Sequence, residues 1–143
     1  RLHRAGELTY VWVPDVLHEA LRDLVRARQA ACQDVRRDRI RIQAFLLRCD
    51  LRFEGKPWST RHRKWLCNRQ FAHPAQQIAF QTYLNALEHD EARKAEVEGQ
   101  IREMLAASPW AGQMQALQAS KGVGPVVAAT IIAEVGDFSR FAH

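Results

Sequence analysis

Lys121-Gly122-Val123-Gly124-Pro125-Val126 is the short stretch whose residue types and spacing point most directly to chemistry with a ligand. Glycine tolerates positive φ and lets a backbone approach another group closely, while the first amides of a helix favour an anion. Pro125 is suited to open a helix and Gly136 to close it. A short helix before Lys121, the glycine turn and this second helix together form a helix-hairpin-helix motif, whose contact is to a DNA backbone phosphate and carries no sequence information. Lys121, Gly122, Gly124 and Val126 are the residues expected at that contact, with Val123 packed inward. The plainer alternative is an ordinary turn between two helices. The Gly-x4-Gly-Lys-[Ser/Thr] pattern of a nucleotide-binding loop is missing.

No other grouping reaches a complete reaction centre. Glu134 and Asp137 stand near a helix C-terminus without a third carboxylate. His62, Cys67 and His73 match no zinc spacing. Ser59, Ser108, Ser120 and Ser139 all have capping or turn roles open to them, so no nucleophile with its base is expected. The expectation is of no catalytic residue, no metal ligand and no cofactor in this chain.

Charge marks a second candidate surface. The 143 residues carry a formal +5, with 47% hydrophobic and 26% charged residues, as in a folded protein. Residues 22–69 hold 14 Lys or Arg against 5 acids, a local net of +9, whereas residues 88–103 hold 6 acids against 3 bases, a net of −3. Arg36, Arg37, Arg39 and Arg41, with Arg61, Arg63 and Lys64 further on, are the side chains that would meet a nucleic acid. The equal alternative is two solvated helix faces of complementary charge. Three widely spaced cysteines without a secretory leader suggest a reducing, cytoplasmic setting, and no apolar run approaches the roughly 18 residues of a membrane span.

These side chains need helices to hold them. Residues 7–13 read as an extended stretch ending at Pro14. From Val16 to about Phe53 nothing breaks the chain, and a 4-3 spacing picks out Leu17, Leu21, Leu24, Arg28, Ala31, Val35, Asp38, Ile42, Phe45 and Cys49 as a coiled-coil seam. A tip helix follows, capped by Ser59 or Thr60, running to about Asn68 and anchored by Trp58, Trp65 and Leu66. A second long helix to about Ala106 carries Ile78, Phe80, Leu84, Leu87, Ala92, Ala95, Ile101 and Leu105 inward. Ser108-Pro109 starts the next helix, which runs to about Ala119. The fold class predicted is all-α: a long antiparallel helical hairpin with a short tip helix, then a helix-hairpin-helix segment. Two paired helices are rarely stable alone, so a homodimer or higher homo-oligomer is expected through the coiled coil.

The motifs taken together resemble a known family. Val-Trp-Val-Pro at 11–14, Leu-Arg-Asp-Leu-Val-Arg-Ala-Arg at 21–28, Trp-Ser-Thr-Arg-His-Arg-Lys-Trp-Leu at 58–66 and Lys-Gly-Val-Gly-Pro-Val-Val-Ala-Ala-Thr-Ile-Ile-Ala-Glu-Val-Gly-Asp-Phe-Ser-Arg-Phe at 121–141 are similar, in order and spacing, to the insertion sequence 110 family of transposases. The resemblance implies an internal piece of a DNA recombinase: 1–14 as the tail of a RuvC-like domain, 15–107 as the coiled-coil hairpin and 108–143 as the start of the transposase domain. It further implies DNA and a guide (bridge) RNA as partners, a bacterial, nucleoid-associated setting, and magnesium in the RuvC-like domain. The family's acidic tetrad and serine would lie outside the chain, so no catalytic residue is carried over. Two other readings stay open, a helix-hairpin-helix DNA-repair fragment with Asp137 poised at the hairpin, and a purely structural dimerisation module.

Overall fold

Five helices follow one another: α1 (Val16–Arg48), α2 (Thr60–Cys67), α3 (Pro74–Ala106), α4 (Ala111–Gln118) and α5 (Pro125–Val135). The structure, a computed structural model, describes residues 14–136 and Phe138. Among these residues there is no strand, and the fold is all-α. The extended stretch expected at 7–13 lies outside the described residues, as does Asp137.

The chain divides into two compact units, Gln29–Glu96 and Arg1–Arg28 with Val97–His143. Within Gln29–Glu96, later positions on α1 meet earlier positions on α3, which makes the pair antiparallel. Asp34 pairs with Arg93, Arg39 with Glu91, and Phe45 stacks on Phe80 with centroids 5.7 Å apart. Val35, Ile42, Phe45, Leu46, Leu66, Phe80 and Leu87 form the core of this unit. Each such side chain stabilises the fold by about 1.5–3 kcal/mol relative to exposure in water. The tip helix α2 is N-capped by Ser59, whose Oγ accepts from His62 N at 3.3 Å. The same helix sends His62 and Leu66 inward.

In the other unit the core is Leu21, Val25, Ile101, Leu105, Ala129, Ile132 and Ala133, with Trp110, Met114 and Leu117 packed against it. The end of α5 is tied down by α1: Arg22 Nε donates to the Ala133 carbonyl at 3.2 Å, and His18 Nε2 lies 3.1 Å from the same oxygen. Late helical carbonyls lack an intrahelical partner, and these side chains supply one.

Four expectations need correction. α1 stops at Arg48, not near Phe53, because Asp50 adopts φ 54 and closes a Schellman turn, with Asp50 N bonded to Leu47 O and Leu51 N to Leu46 O. The seam is right from Ala31 onward, yet nearer the start His18 and Val25 are buried in place of Leu17 and Leu24. On α3, Ile78, Ala92 and Ala95 are exposed, since Asp90, Glu91 and Lys94 occupy the half-buried positions there. Finally, Ser108 does not start α4. Its Oγ donates to Leu105 O at 2.8 Å and accepts from Trp110 N at 3.2 Å, so it finishes the turn after α3, and α4 begins at Ala111.

Candidate functional site

The arginines expected to face a nucleic acid are mostly occupied within Gln29–Glu96. Arg37 pairs with Asp34, which also holds Arg93. Arg41 Nη1 donates to Asp38 Oδ1 at 3.1 Å. Arg39 Nη2 reaches Glu91 Oε1 at 2.7 Å, and Arg63 grips the same carboxylate with both nitrogens at 2.8 Å. Bidentate guanidinium-carboxylate pairs are the stronger kind. The bond from Arg63, then the one from Arg39, holds the Glu91 carboxyl below the usual glutamate range, although partial burial opposes them. Arg36, Arg61 and Lys64 have no carboxylate partner among the described residues, and the Arg61 guanidinium lies 5.8 Å from the Phe53 ring centre.

Asp38 fills a seam position at 4% exposure, with Oδ2 unpartnered. Burial, then the neighbouring Asp90 carboxyl, pushes its pKa up. The polar break in the seam is thus a real cost within the hairpin, offset in part by Arg41.

Around the tip the pattern changes. Arg48, Arg52, Lys56, Arg61, Lys64 and Arg69 form no ion pair among the described residues. Several lie instead against aromatic faces: Arg69 is 4.6 Å from the Trp65 ring centre and Arg48 is 5.6 Å from that of Phe45. Arg48, Arg52, Lys56 and Arg69 escaped notice in the sequence as individual candidates. What separates them from Arg37, Arg39, Arg41 and Arg63 is the absence of a nearby acid: Asp34 and Asp38 stand one turn before Arg37 and Arg41 on α1 itself, whereas Glu91 meets Arg39 and Arg63 only through the packing of α3 against α1 and α2.

The glycine turn belongs to the other unit. Gly122 has φ 90, a conformation that disfavours a side chain, whereas Gly124 has φ −82 and caps α5. Positive φ is therefore needed at one glycine of the two. Val123 N donates to Ser120 O at 3.1 Å, and the first bond of α5 runs from Ala128 N to Gly124 O at 3.0 Å. The Val126 amide precedes that first bond, Val126 and Val123 are half-buried, and Lys121 is exposed. α4 and α5 pack on each other on either side of the turn. A tight glycine turn thus leads straight from α4 into a proline-started α5.

The described residues contain no group of three His, Cys, Asp or Glu side chains placed to hold a metal ion. Glu134 is exposed, and Cys67, also exposed, is a free thiol. No described helix is long and apolar enough to cross a membrane.

Comparison with known proteins bears on these features. Residues 114–143, the second half of α4 through α5 and beyond, match the family described as Transposase IS116/IS110/IS902. A protein of Sinorhizobium fredii named as the transposase y4qE is 43% identical over 142 residues, 99% of this chain and 33% of its own length. The transposase for insertion sequence element IS1533 of Leptospira borgpetersenii is 31% identical over 132 residues, 87% of this chain and 38% of its own. The chain thus spans 33% and 38% of the length of these two relatives. No solved structure matches it significantly. With a family match at the glycine turn and two transposases aligned along nearly all of its helices, the chain belongs with the transposases of the IS116/IS110/IS902 family.

Proposed function

We propose that this chain is the nucleic-acid-holding and dimerising part of an insertion-sequence transposase acting in DNA transposition. The supporting observation is the split in the basic block. Where α1 faces α3, arginines are neutralised by Asp34, Asp38 and Glu91, while the cations of the tip face no acid. A polyanion gains most from cations that need not first leave an internal partner. The tip is accordingly the main backbone contact, and Lys121 with the Gly122-to-Val126 amides is a second one. The contacted strand is DNA or a guide RNA, and the magnesium-dependent and serine chemistry belongs to other parts of the transposase, which would work in the bacterial cytoplasm at the nucleoid.

Fluorescence anisotropy with a labelled duplex or single strand tests this reading. Affinity should fall steeply as salt rises from about 50 to 200 mM. Replacing Arg61 and Lys64 with Ala should reduce the slope of log affinity against log salt by about 1 per lost phosphate contact. Replacing Arg37 and Arg41 should change it much less. A flat salt response, or equal loss from both pairs, would remove the tip from the interface.

A further inference from the structure

Beside the tip helix, wholly within Gln29–Glu96, a cavity of about 380 Å³ lies between α2 and α3. Leu66 and Leu87, nearly fully buried, give it an apolar floor, and Trp58 forms part of its wall. Trp58 is held in an unusual way. Its φ is 61, in the left-handed region that a bulky residue avoids, and its backbone N–H is fixed by donation to His62 Nδ1 at 2.9 Å. His62 meets its ring edge-on at 5.1 Å, and the Arg39 guanidinium sits 5.1 Å from the ring centre. Such strain persists only where the surroundings impose it, and it concentrates at ligand sites.

The polar lining is equally specific. Gln81 and Asn85, one turn apart on exposed α3 positions, are joined by a bond from Gln81 Nε2 to Asn85 Oδ1 at 2.8 Å. That bond leaves Gln81 Oε1 as an acceptor and Asn85 Nδ2 as a donor, neither with a partner among the described residues. Glu88 adds a carboxylate without an ion pair, whereas the charge of Glu91 is taken up by Arg39 and Arg63. A phosphate would meet the unpaired Glu88 here. A flat, neutral base edge that offers a donor beside an acceptor would find an acceptor, a donor and an aromatic wall.

We infer that this cavity receives one unstacked base of the bound nucleic acid, its polar edge met by Gln81 and Asn85, while the surrounding tip cations hold the backbone. Single-stranded segments are commonly recognised through splayed bases stacked on aromatic rings and bonded along their edges. The inference rests on the nucleic-acid reading above and adds a base contact to it.

The test uses the whole chain and three fluorescent single strands of equal length and phosphate count: all-cytosine, all-thymine and all-abasic. The cytosine and thymine strands should each bind about tenfold more tightly than the abasic one. Gln81→Ala with Asn85→Ala, both on the solvent side of α3, should weaken the cytosine and thymine strands toward the abasic one without changing the salt slope. The cytosine strand should also protect the Cys67 thiol, at the cavity wall, from alkylation, which needs no variant. Equal binding of all three strands, with Cys67 unprotected, overturns the base pocket and leaves the backbone reading standing. If no strand binds at all, the backbone reading fails and this inference fails with it.

Discussion

Glu91 is where the chemistry of single residues decides what the basic block can do. It accepts from Arg39 and from both nitrogens of Arg63, and so withdraws two guanidiniums from any outside partner. Because the bonds hold its pKa below the usual value, Glu91 adds stability that is present above about pH 4.3 and lost as pH falls through the folded value. The side chains of its two partners are 35% and 44% exposed, so the loss on Glu91→Gln should be modest, about 1 kcal/mol at pH 7. Urea unfolding should show this deficit at pH 7 and a shrinking one as pH falls through the depressed folded-state pKa of Glu91, below which the wild-type carboxylate is also neutral. The same variant should bind nucleic acid more tightly at pH 7, because two arginines are released. A variant that is destabilised yet binds no better would mean that Arg39 and Arg63 face away from the strand. His62 carries the opposite lesson for a base: burial, then Arg63, lowers its pKa, which suits a ring whose Nδ1 must stay unprotonated to accept from Trp58.

At the scale of elements, the glycine turn separates a folding role from a binding role. Neither glycine would meet a neighbouring atom if given a Cβ, so only backbone conformation distinguishes them. Gly122→Ala forces a side chain into φ 90 and should cost about 1–2 kcal/mol. Gly124→Ala, at φ −82, should be nearly neutral in stability, within about 0.5 kcal/mol. If the α5 amides hold a phosphate, the added methyl at 124 should weaken strand binding although thermal unfolding is unchanged; unaltered affinity would make the turn purely structural. Residues such as these also show what the sequence made legible. Pro125, Gly136 and Ser59 announced the limits of α5 and the start of α2, because caps act locally. Asp50 did not announce the end of α1, since an acid in the left-handed region has no composition signal. His18 displaced Leu17 because its ring reaches across 115 positions of sequence to Ala133, a tertiary bond that periodicity cannot contain. Packing across helices likewise withdrew Arg39 and Arg63 onto Glu91, whereas Asp34 and Asp38 neutralise Arg37 and Arg41 at i,i+3 spacing, and it formed the cavity beside Trp58, which no spacing rule foretold.

The whole molecule must also account for apolar surface that its own core leaves uncovered. Ile40 and Leu47 on α1 are 54% and 57% exposed, and Ile78 on α3 is 68% exposed. Single exposed apolar side chains are ordinary. Ile40 and Leu47, however, are two helical turns apart and so share one face of α1, away from the Val35, Ile42 and Phe45 seam. A second copy meeting this face would cover both. The proposed dimer therefore predicts that the chain sediments as a dimer at tens of micromolar. Ile40→Glu with Leu47→Glu should convert it to a monomer with unchanged helical circular dichroism, because neither side chain supports the internal core. Strand affinity should fall at the same time, since two tips on one dimer gain from holding a single strand together. A dimer that survives the double substitution would shift the contact to another face, and a wild-type monomer would leave the tip to bind alone.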